Sequence, residues 1–141
     1  MKTFKCTKIS GGKSEAEVIV SKDAVCFYLV EPATGVVVEK NHDIQNQTVA
    51  GKILIMPSGK GSSVVQADGL YKLMQNNMDT KGIIVEHADT VLVSSAIIME
   101  TPMVHKVDKE FYDYIKTGMK IVLDADNGQI TILDWADLMQ P

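Results

Sequence analysis

The most informative part of the chain is the sequence Ile53-Leu54-Ile55-Met56-Pro57-Ser58-Gly59-Lys60-Gly61-Ser62-Ser63. Its first four residues are apolar and predict a buried strand, which Pro57 and the two glycines end. Ser62 or Ser63 then stands where the N-cap of a helix belongs. Backbone N–H groups and the positive end of the helix converge at such a point, so the loop favours a carboxylate, a phosphate or a developing alkoxide.

Residues on both sides of this stretch predict further strands and helices. Upstream, residues 2–9 and 16–20 are interpreted as a pair of strands around a turn at Gly11-Gly12. Downstream, apolar residues recur at helical spacing and predict a helix from about Ser63 to Asn76. Its apolar face is predicted to carry Val64, Ala67, Leu70, Tyr71, Leu73, Met74 and Met78.

The second half of the chain continues to alternate between strand and helix patterns. It predicts a strand at residues 82–85 and then a helix that is capped by Asp89-Thr90 and runs to about Glu100. A strand from Pro102 and a helix from Asp108 to Gly118 follow. The last predicted element is a hairpin of residues 119–123 and 129–133 around Asp126-Asn127-Gly128. This order indicates the α+β (mixed α/β) class. We expect one domain over residues 1–141, with residues 134–141 as a tail that docks on the domain or on a partner.

Composition narrows the functional classes. The 141 residues are 45% hydrophobic, enough for one core, and 18 acidic against 14 basic side chains leave a net charge of −4. Without a basic surplus or a lysine cluster, a nucleic-acid partner is not expected. Apolar runs such as residues 96–99 are far too short to span a membrane, and residues 1–10 lack the apolar segment of a secretory signal. We therefore expect a cytoplasmic protein without a nucleic-acid or membrane partner.

The cysteines and histidines do not predict a metal site. Cys6 and Cys26 lie far apart without a CxxC motif, so they are interpreted as buried small hydrophobes, and this chain is not expected to hold an iron–sulfur cluster. His42, His87 and His105 are separated by long intervals, which favours surface or core roles. A metal required by the chemistry would then come from another polypeptide.

The glycine-serine loop fits neither of two common loop motifs. A P-loop requires glycine where Leu54 stands and Ser or Thr where Gly61 stands, and Gly61-Ser62-Ser63-Val64 does not match the GxSxG elbow. Two interpretations remain open, a serine that only caps the helix and a serine that reacts. A serine acts as a base only as its alkoxide, and a helix end worth up to about 2 kcal/mol lowers a hydroxyl pKa by roughly one and a half units. Lys60 would add a second favourable charge if it points inward, and the remainder would have to come from a water-poor pocket with further donors or a metal, completed by something larger than this chain.

Residues 49–63, which read Val49-Ala50-Gly51-Lys52 followed by the loop stretch, closely resemble the signature of the aconitase X swivel domain. Residues 94–104 and 124–128 are also similar, and the resemblance covers nearly the whole chain. It implies a three-layer β/β/α swivel domain that serves as the small subunit of an aconitase-X-type hydro-lyase. In that family the large subunit holds the iron or iron–sulfur centre, and the small subunit presents a serine as proton acceptor, which here is Ser62.

The resemblance also implies a substrate site around Ser62. Gly59, Lys60, Gly61 and Ser63 are expected to bind substrate and to polarise the surroundings of Ser62. Family activities are the dehydration of (R)-5-phosphomevalonate and of cis-3-hydroxy-L-proline, both small β-hydroxy carboxylates. Residues 65–68 and 80–82 depart from the archaeal pattern, which favours the hydroxyproline-type substrate. The alternative is a stand-alone anion-binding or regulatory module that uses the same loop without a partner.

Overall fold

The structure is a computed structural model that describes residues 1–133, so the predicted tail at residues 134–141 lies outside the described residues. The strands are β1 (Lys2–Lys5), β2 (Thr7–Ser10), β3 (Lys13–Val20), β4 (Ile53–Met56), β5 (Gly82–Val85), β6 (Met103–His105), β7 (Lys120–Asp124) and β8 (Gln129–Leu133). The helices are α1 (Ser63–Gln75), α2 (Thr90–Ile98) and α3 (Phe111–Tyr114), and a 3₁₀ turn lies at Phe27–Leu29. In the described range no helix has the length and apolarity needed to cross a membrane.

Strand β3 joins an antiparallel half of the sheet to a parallel half. The strand order is β1-β8-β7-β3-β4-β5-β6-β2. Residues 13–17 of β3 pair antiparallel with β7, and residues 18–20 pair parallel with β4. Strands β4, β5 and β6 are parallel neighbours connected by α1 and α2. The carboxyl ends of these three strands therefore lie at one edge of the sheet.

The parallel strands are buried on both faces, which gives the molecule three layers. Leu54 and Met56 of β4 belong to the core under α1 and α2, whereas Ile53 and Ile55 belong to the core shared with β7, β8 and α3. Because successive side chains of a strand point to opposite faces, one continuous apolar run serves both cores. The structure confirms the α+β class and the three-layer β/β/α arrangement.

Most of the predicted elements are confirmed, with two local differences. The N-terminal segment forms three strands instead of a pair, and β1 and β2 pair with the distant strands β8 and β6 rather than with β3. The third helix is a single turn, because Ile115 is already extended with φ −71° and ψ 135°. Asp108 lies before that turn, where its carboxylate accepts a hydrogen bond from the N–H of Lys5.

The buried face of α1 is only partly the predicted one, because Leu70 and Leu73 are buried as predicted and other predicted members are not. Val64, Tyr71 and Met74 are exposed, and the buried residues of the helix are Gln66, Gly69, Leu70 and Leu73. The reason is a close approach at Gly69, where an added Cβ would lie 2.4 Å from the carbonyl carbon of Phe27. Apolar periodicity alone does not reveal which side of a helix a neighbouring backbone will contact.

The two cysteines are free thiols in different environments. Cys26 is buried as predicted, whereas Cys6 is only partly buried. Burial, followed by the nearby charges of Asp108 and Asp124, raises the pKa of the Cys6 thiol to about 11. Cys6 is therefore protonated and a poor nucleophile at neutral pH.

Gly69→Ala is expected to destabilise the protein, because the new methyl group would overlap the Phe27 carbonyl group and push α1 away from it. Overpacking of this kind costs about 1–3 kcal/mol. Urea denaturation followed by circular dichroism measures the change. Gln75→Ala, at the exposed end of α1, is the control and should stay within about 0.5 kcal/mol of wild type. Equal stability of Gly69→Ala and the wild type would contradict the described packing.

Candidate active site

Two loops meet where β4 and β5 end. Residues 57–62 lead from β4 into α1, and residues 86–89 lead from β5 into α2. The carbonyl oxygen of Pro57 accepts hydrogen bonds from the N–H groups of Glu86 (3.1 Å) and His87 (2.9 Å). Both helices consequently begin at the same edge of the sheet, which is where ligands bind in open α/β sheets.

Ser62 is the N-cap of α1, and its side chain is exposed. Its Oγ accepts a hydrogen bond from the N–H of Val65 at 3.4 Å, a long contact for this kind of bond. Its carbonyl oxygen accepts the first helical bond from the N–H of Gln66 at 3.0 Å. The backbone of Ser62 is therefore fixed while its hydroxyl is only weakly held. Ser63 is the first helical residue and is exposed.

The two glycines of the loop allow close packing beneath it. An added Cβ at Gly59 would lie 2.8 Å from Gln66 Nε2, 3.0 Å from Leu92 Cδ2 and 3.1 Å from Asp89 Oδ2. Gly61 has φ +112°, a conformation that residues with a side chain rarely adopt. Gly59 is required by its neighbours and Gly61 by its backbone, so each has a structural role beside the predicted contact with substrate.

Asp89 connects the loop to the second helix. One carboxylate oxygen caps α2 by accepting the N–H of Leu92 at 2.9 Å, and the other accepts the N–H of Gly59 at 3.2 Å. The N-terminus of α2 thus already carries a negative charge. Within residues 1–133, the N-terminus of α1 carries the Ser62 hydroxyl and no acidic side chain in its first turn, so its positive end is the place where an added anion gains most.

Lys60 forms an ion pair with Glu39. Its Nζ lies 2.6 Å from Oε2 of Glu39, and both side chains are partly exposed. The Lys60 ammonium group, which could have stabilised a reactive serine, is therefore bound to a carboxylate in this structure. The other Glu39 oxygen is buried and has no hydrogen-bond partner among the described residues.

The histidines lie in three different environments. His42 is buried, with Nε2 2.8 Å from the carbonyl oxygen of Ala24 and with Nδ1 accepting the N–H of Ile44, so it has the predicted core role. His87 is exposed beside the loop. His105 ends β6, and burial, followed by the charge of Lys106, lowers its pKa. Within residues 1–133 no group of three or more His, Cys, Asp or Glu side chains is arranged to hold a metal ion.

Sequence reasoning missed three partners of the loop. Glu39 binds Lys60, Asp89 binds Gly59 in addition to its predicted capping role, and Gln66 packs beneath Gly59. A signal for Gln66 was present, because a polar residue one helical turn after a cap falls on the side of the helix that faces the loop.

The fold and the loop together define a β/β/α domain that presents a serine-capped helix at the carboxyl edge of its parallel strands. The family profile described as the aconitase X swivel domain matches residues 3–132. This chain belongs to the aconitase X swivel domain family.

Relatives and a solved structure cover nearly all of the chain. It is 47% identical over 132 residues to the phosphomevalonate dehydratase small subunit of Thermococcus kodakarensis, which covers 93% of this chain and 96% of that protein. It is 35% identical over 131 residues to the protein of the same name from Methanosarcina mazei, which covers 92% and 90%. The crystal structure of Thermococcus kodakaraensis aconitase X in its holo-form aligns with a TM-score of 0.86 and 45% identity, over 95% of this chain and 100% of that one.

Asp89→Ala is expected to destabilise the protein by about 1–2 kcal/mol, since it removes the cap of α2. It also removes the acceptor for the Gly59 N–H and so loosens the loop. Asp89→Asn keeps one acceptor oxygen and should cost clearly less. Urea denaturation measures both variants, and an Asp89→Ala protein as stable as wild type would contradict the bridging role.

Proposed function

We propose that this chain is the small subunit of an aconitase-X-type hydro-lyase and acts together with a large catalytic subunit. The exposed hydroxyl of Ser62 at the positive end of α1 carries the proposal. The names of the relatives and the alignment with aconitase X support it.

Ser62 is proposed as the proton acceptor of the dehydration. Its oxygen removes the proton from the carbon next to the substrate carboxylate, and the C–H electron pair becomes the new double bond. The neighbouring C–O bond breaks, and the β-hydroxyl leaves with its electron pair. Ser62 must carry a negative charge before this step, and the positive end of α1 favours that charge.

The loop by itself supplies too little stabilisation for this role. A helix end contributes up to about 2 kcal/mol toward a negative charge. Lys60 adds little while its ammonium group is bound to Glu39. The remainder must come from a closed, water-poor site with further donors, where electrostatic stabilisation is strongest. This missing stabilisation supports the proposal that a large partner subunit is required. It also leads us to expect no turnover by the isolated chain.

The iron or iron–sulfur centre is proposed to belong to that large subunit, as the resemblance to aconitase-X-type enzymes implies. Such a centre supplies a Lewis acid for a leaving hydroxyl group. The proposed contribution of this chain is limited to the proton acceptor and to contacts that orient the substrate. Gly59, Lys60, Gly61 and Ser63 are the proposed contacts, with Lys60 exchanging Glu39 for an anionic group of the substrate.

The proposed substrate is (R)-5-phosphomevalonate rather than cis-3-hydroxy-L-proline. Relatives with 47% and 35% identity carry the name phosphomevalonate dehydratase small subunit. One of the departures that favoured hydroxyproline, residues 80–82, lies at the amino end of β5, the opposite edge of the sheet from Ser62. The other departure includes the buried Gln66, which lies beneath the loop rather than on its open side.

Ser62→Ala, measured in the enzyme reconstituted from both subunits, is expected to lower kcat by at least about 100-fold, as removal of a proton-transfer group does. Assembly with the large subunit should be unchanged, because the lost hydrogen bond is long. Thr3→Ala, which removes an exposed hydroxyl from β1 at one end of the strand order, is the matched control with wild-type activity. Near wild-type turnover of Ser62→Ala would reject the proposed role.

Lys60→Met is expected to raise KM for phosphomevalonate by about 10-fold while kcat changes little, because a charged hydrogen bond is worth about 1.5–3 kcal/mol. The matched control is Lys81→Met, an exposed lysine at the far edge of the sheet. Steady-state kinetics with both candidate substrates measure the effect. An unchanged KM would remove Lys60 from the site, and a higher kcat/KM for cis-3-hydroxy-L-proline would reject the proposed substrate.

A further inference from the structure

Gln66 is a fully buried polar side chain on the first turn of α1. Its backbone N–H donates to the carbonyl oxygen of Ser62 at 3.0 Å. A carboxamide is costly to bury unless its donors and acceptor are paired, so a glutamine with no exposed surface needs a structural or functional reason.

The hydrogen bond to Phe27 fixes the direction of the Gln66 carboxamide. Its Oε1 accepts the N–H of Phe27 at 2.7 Å. The other end, Nε2, therefore faces the loop, 2.8 Å from the position that a Cβ of Gly59 would occupy. Nε2 is buried and has no hydrogen-bond partner among the described residues.

Gly59 is held between two polar side chains. Gln66 lies against one side of its α-carbon, and Asp89 accepts its N–H from α2. Gln66 thus contacts the loop at Gly59 through its side chain and at Ser62 through its backbone. The side chain and the backbone of Gln66 therefore contact the two ends of the segment Gly59-Lys60-Gly61-Ser62.

We infer that Gln66 is the positioning residue that holds the glycine loop and Ser62 in register, and that its unpaired Nε2 donates to a loop carbonyl group when the loop closes on the substrate. An unpaired buried donor costs free energy, so a loop position that supplies an acceptor is favoured. Gln66 is buried and acts through Ser62, and this inference rests on the proposed function.

The first test compares Gln66→Met and Gln66→Glu in the enzyme reconstituted from both subunits. Methionine removes both polar contacts, whereas glutamate, measured at a pH at which its carboxyl group is ionised, keeps an acceptor for the Phe27 N–H and loses the donor. Both variants are expected to lower kcat by about 10- to 100-fold, the effect of misplacing a reacting group, with KM within about twofold of wild type. Gln75→Met, exposed at the end of the same helix, is the matched control. A wild-type kcat for Gln66→Met would overturn the positioning role, and a wild-type kcat for Gln66→Glu would overturn the role of the donor.

The second test combines Gln66→Met with Ser62→Ala. If Gln66 acts through Ser62, Gln66→Met lowers kcat by at most about twofold in the Ser62→Ala background, because the effects of coupled residues do not add. An equal decrease in kcat on adding Gln66→Met to the wild type and to Ser62→Ala would indicate a general structural effect and overturn the inference. Should Gln66→Met fail to fold, Gln66→Glu serves in the same cycle. Full activity of Ser62→Ala would defeat the proposed function itself, whereas loss of activity in Ser62→Ala with a wild-type kcat in Gln66→Met would defeat this inference alone.

Discussion

The parallel pairing of β4 with β5 is the constraint on which the loop depends. Met56 lies opposite Val85, so the two strands end at the same level and their loops leave over the same edge. The N–H groups of Glu86 and His87 then donate to the carbonyl oxygen of Pro57, which keeps the loops together. Each loop rises into a helix, so two positive helix ends face the same region. The sheet, rather than a local motif, brings Ser62 to a place where an anion is favoured.

The two helix ends differ in charge, and this difference leaves the end of α1 the more favourable place for an added anion. The Asp89 carboxylate neutralises the end of α2 and is occupied by two N–H groups. The end of α1 has a hydroxyl group with a single long hydrogen bond, so its field remains available. The Glu39 carboxylate meanwhile binds the Lys60 ammonium group. A loop in this state binds an anion more readily than it generates an alkoxide. Its chemistry therefore depends on what closes over it.

Sequence reasoning identified what is local in this site and missed what is long-range. The strand, the glycine loop, the capping serine and the helix follow each other directly, so their order could be predicted from residues 53–63. The contacts of Lys60 with Glu39, Gly59 with Asp89 and Gln66 with Phe27 join residues 21 to 39 positions apart. The spacing of apolar residues along the chain carries no information about contacts between residues so far apart in sequence. The exposed face of α1 was mispredicted for a similar reason, because the approach of Phe27 to Gly69 decides which side is buried.

We propose that Ser62 removes a carbon-bound proton only when the large subunit completes the loop. Incorporation of solvent deuterium at the carbon next to the carboxylate of phosphomevalonate, followed by NMR, tests this most directly. The small subunit alone, the large subunit alone and their mixture would be compared under identical conditions. We expect exchange with the mixture and none with either subunit alone. Exchange by the large subunit alone at the rate of the mixture would contradict the role of Ser62, and exchange by the small subunit alone would contradict the need for a partner.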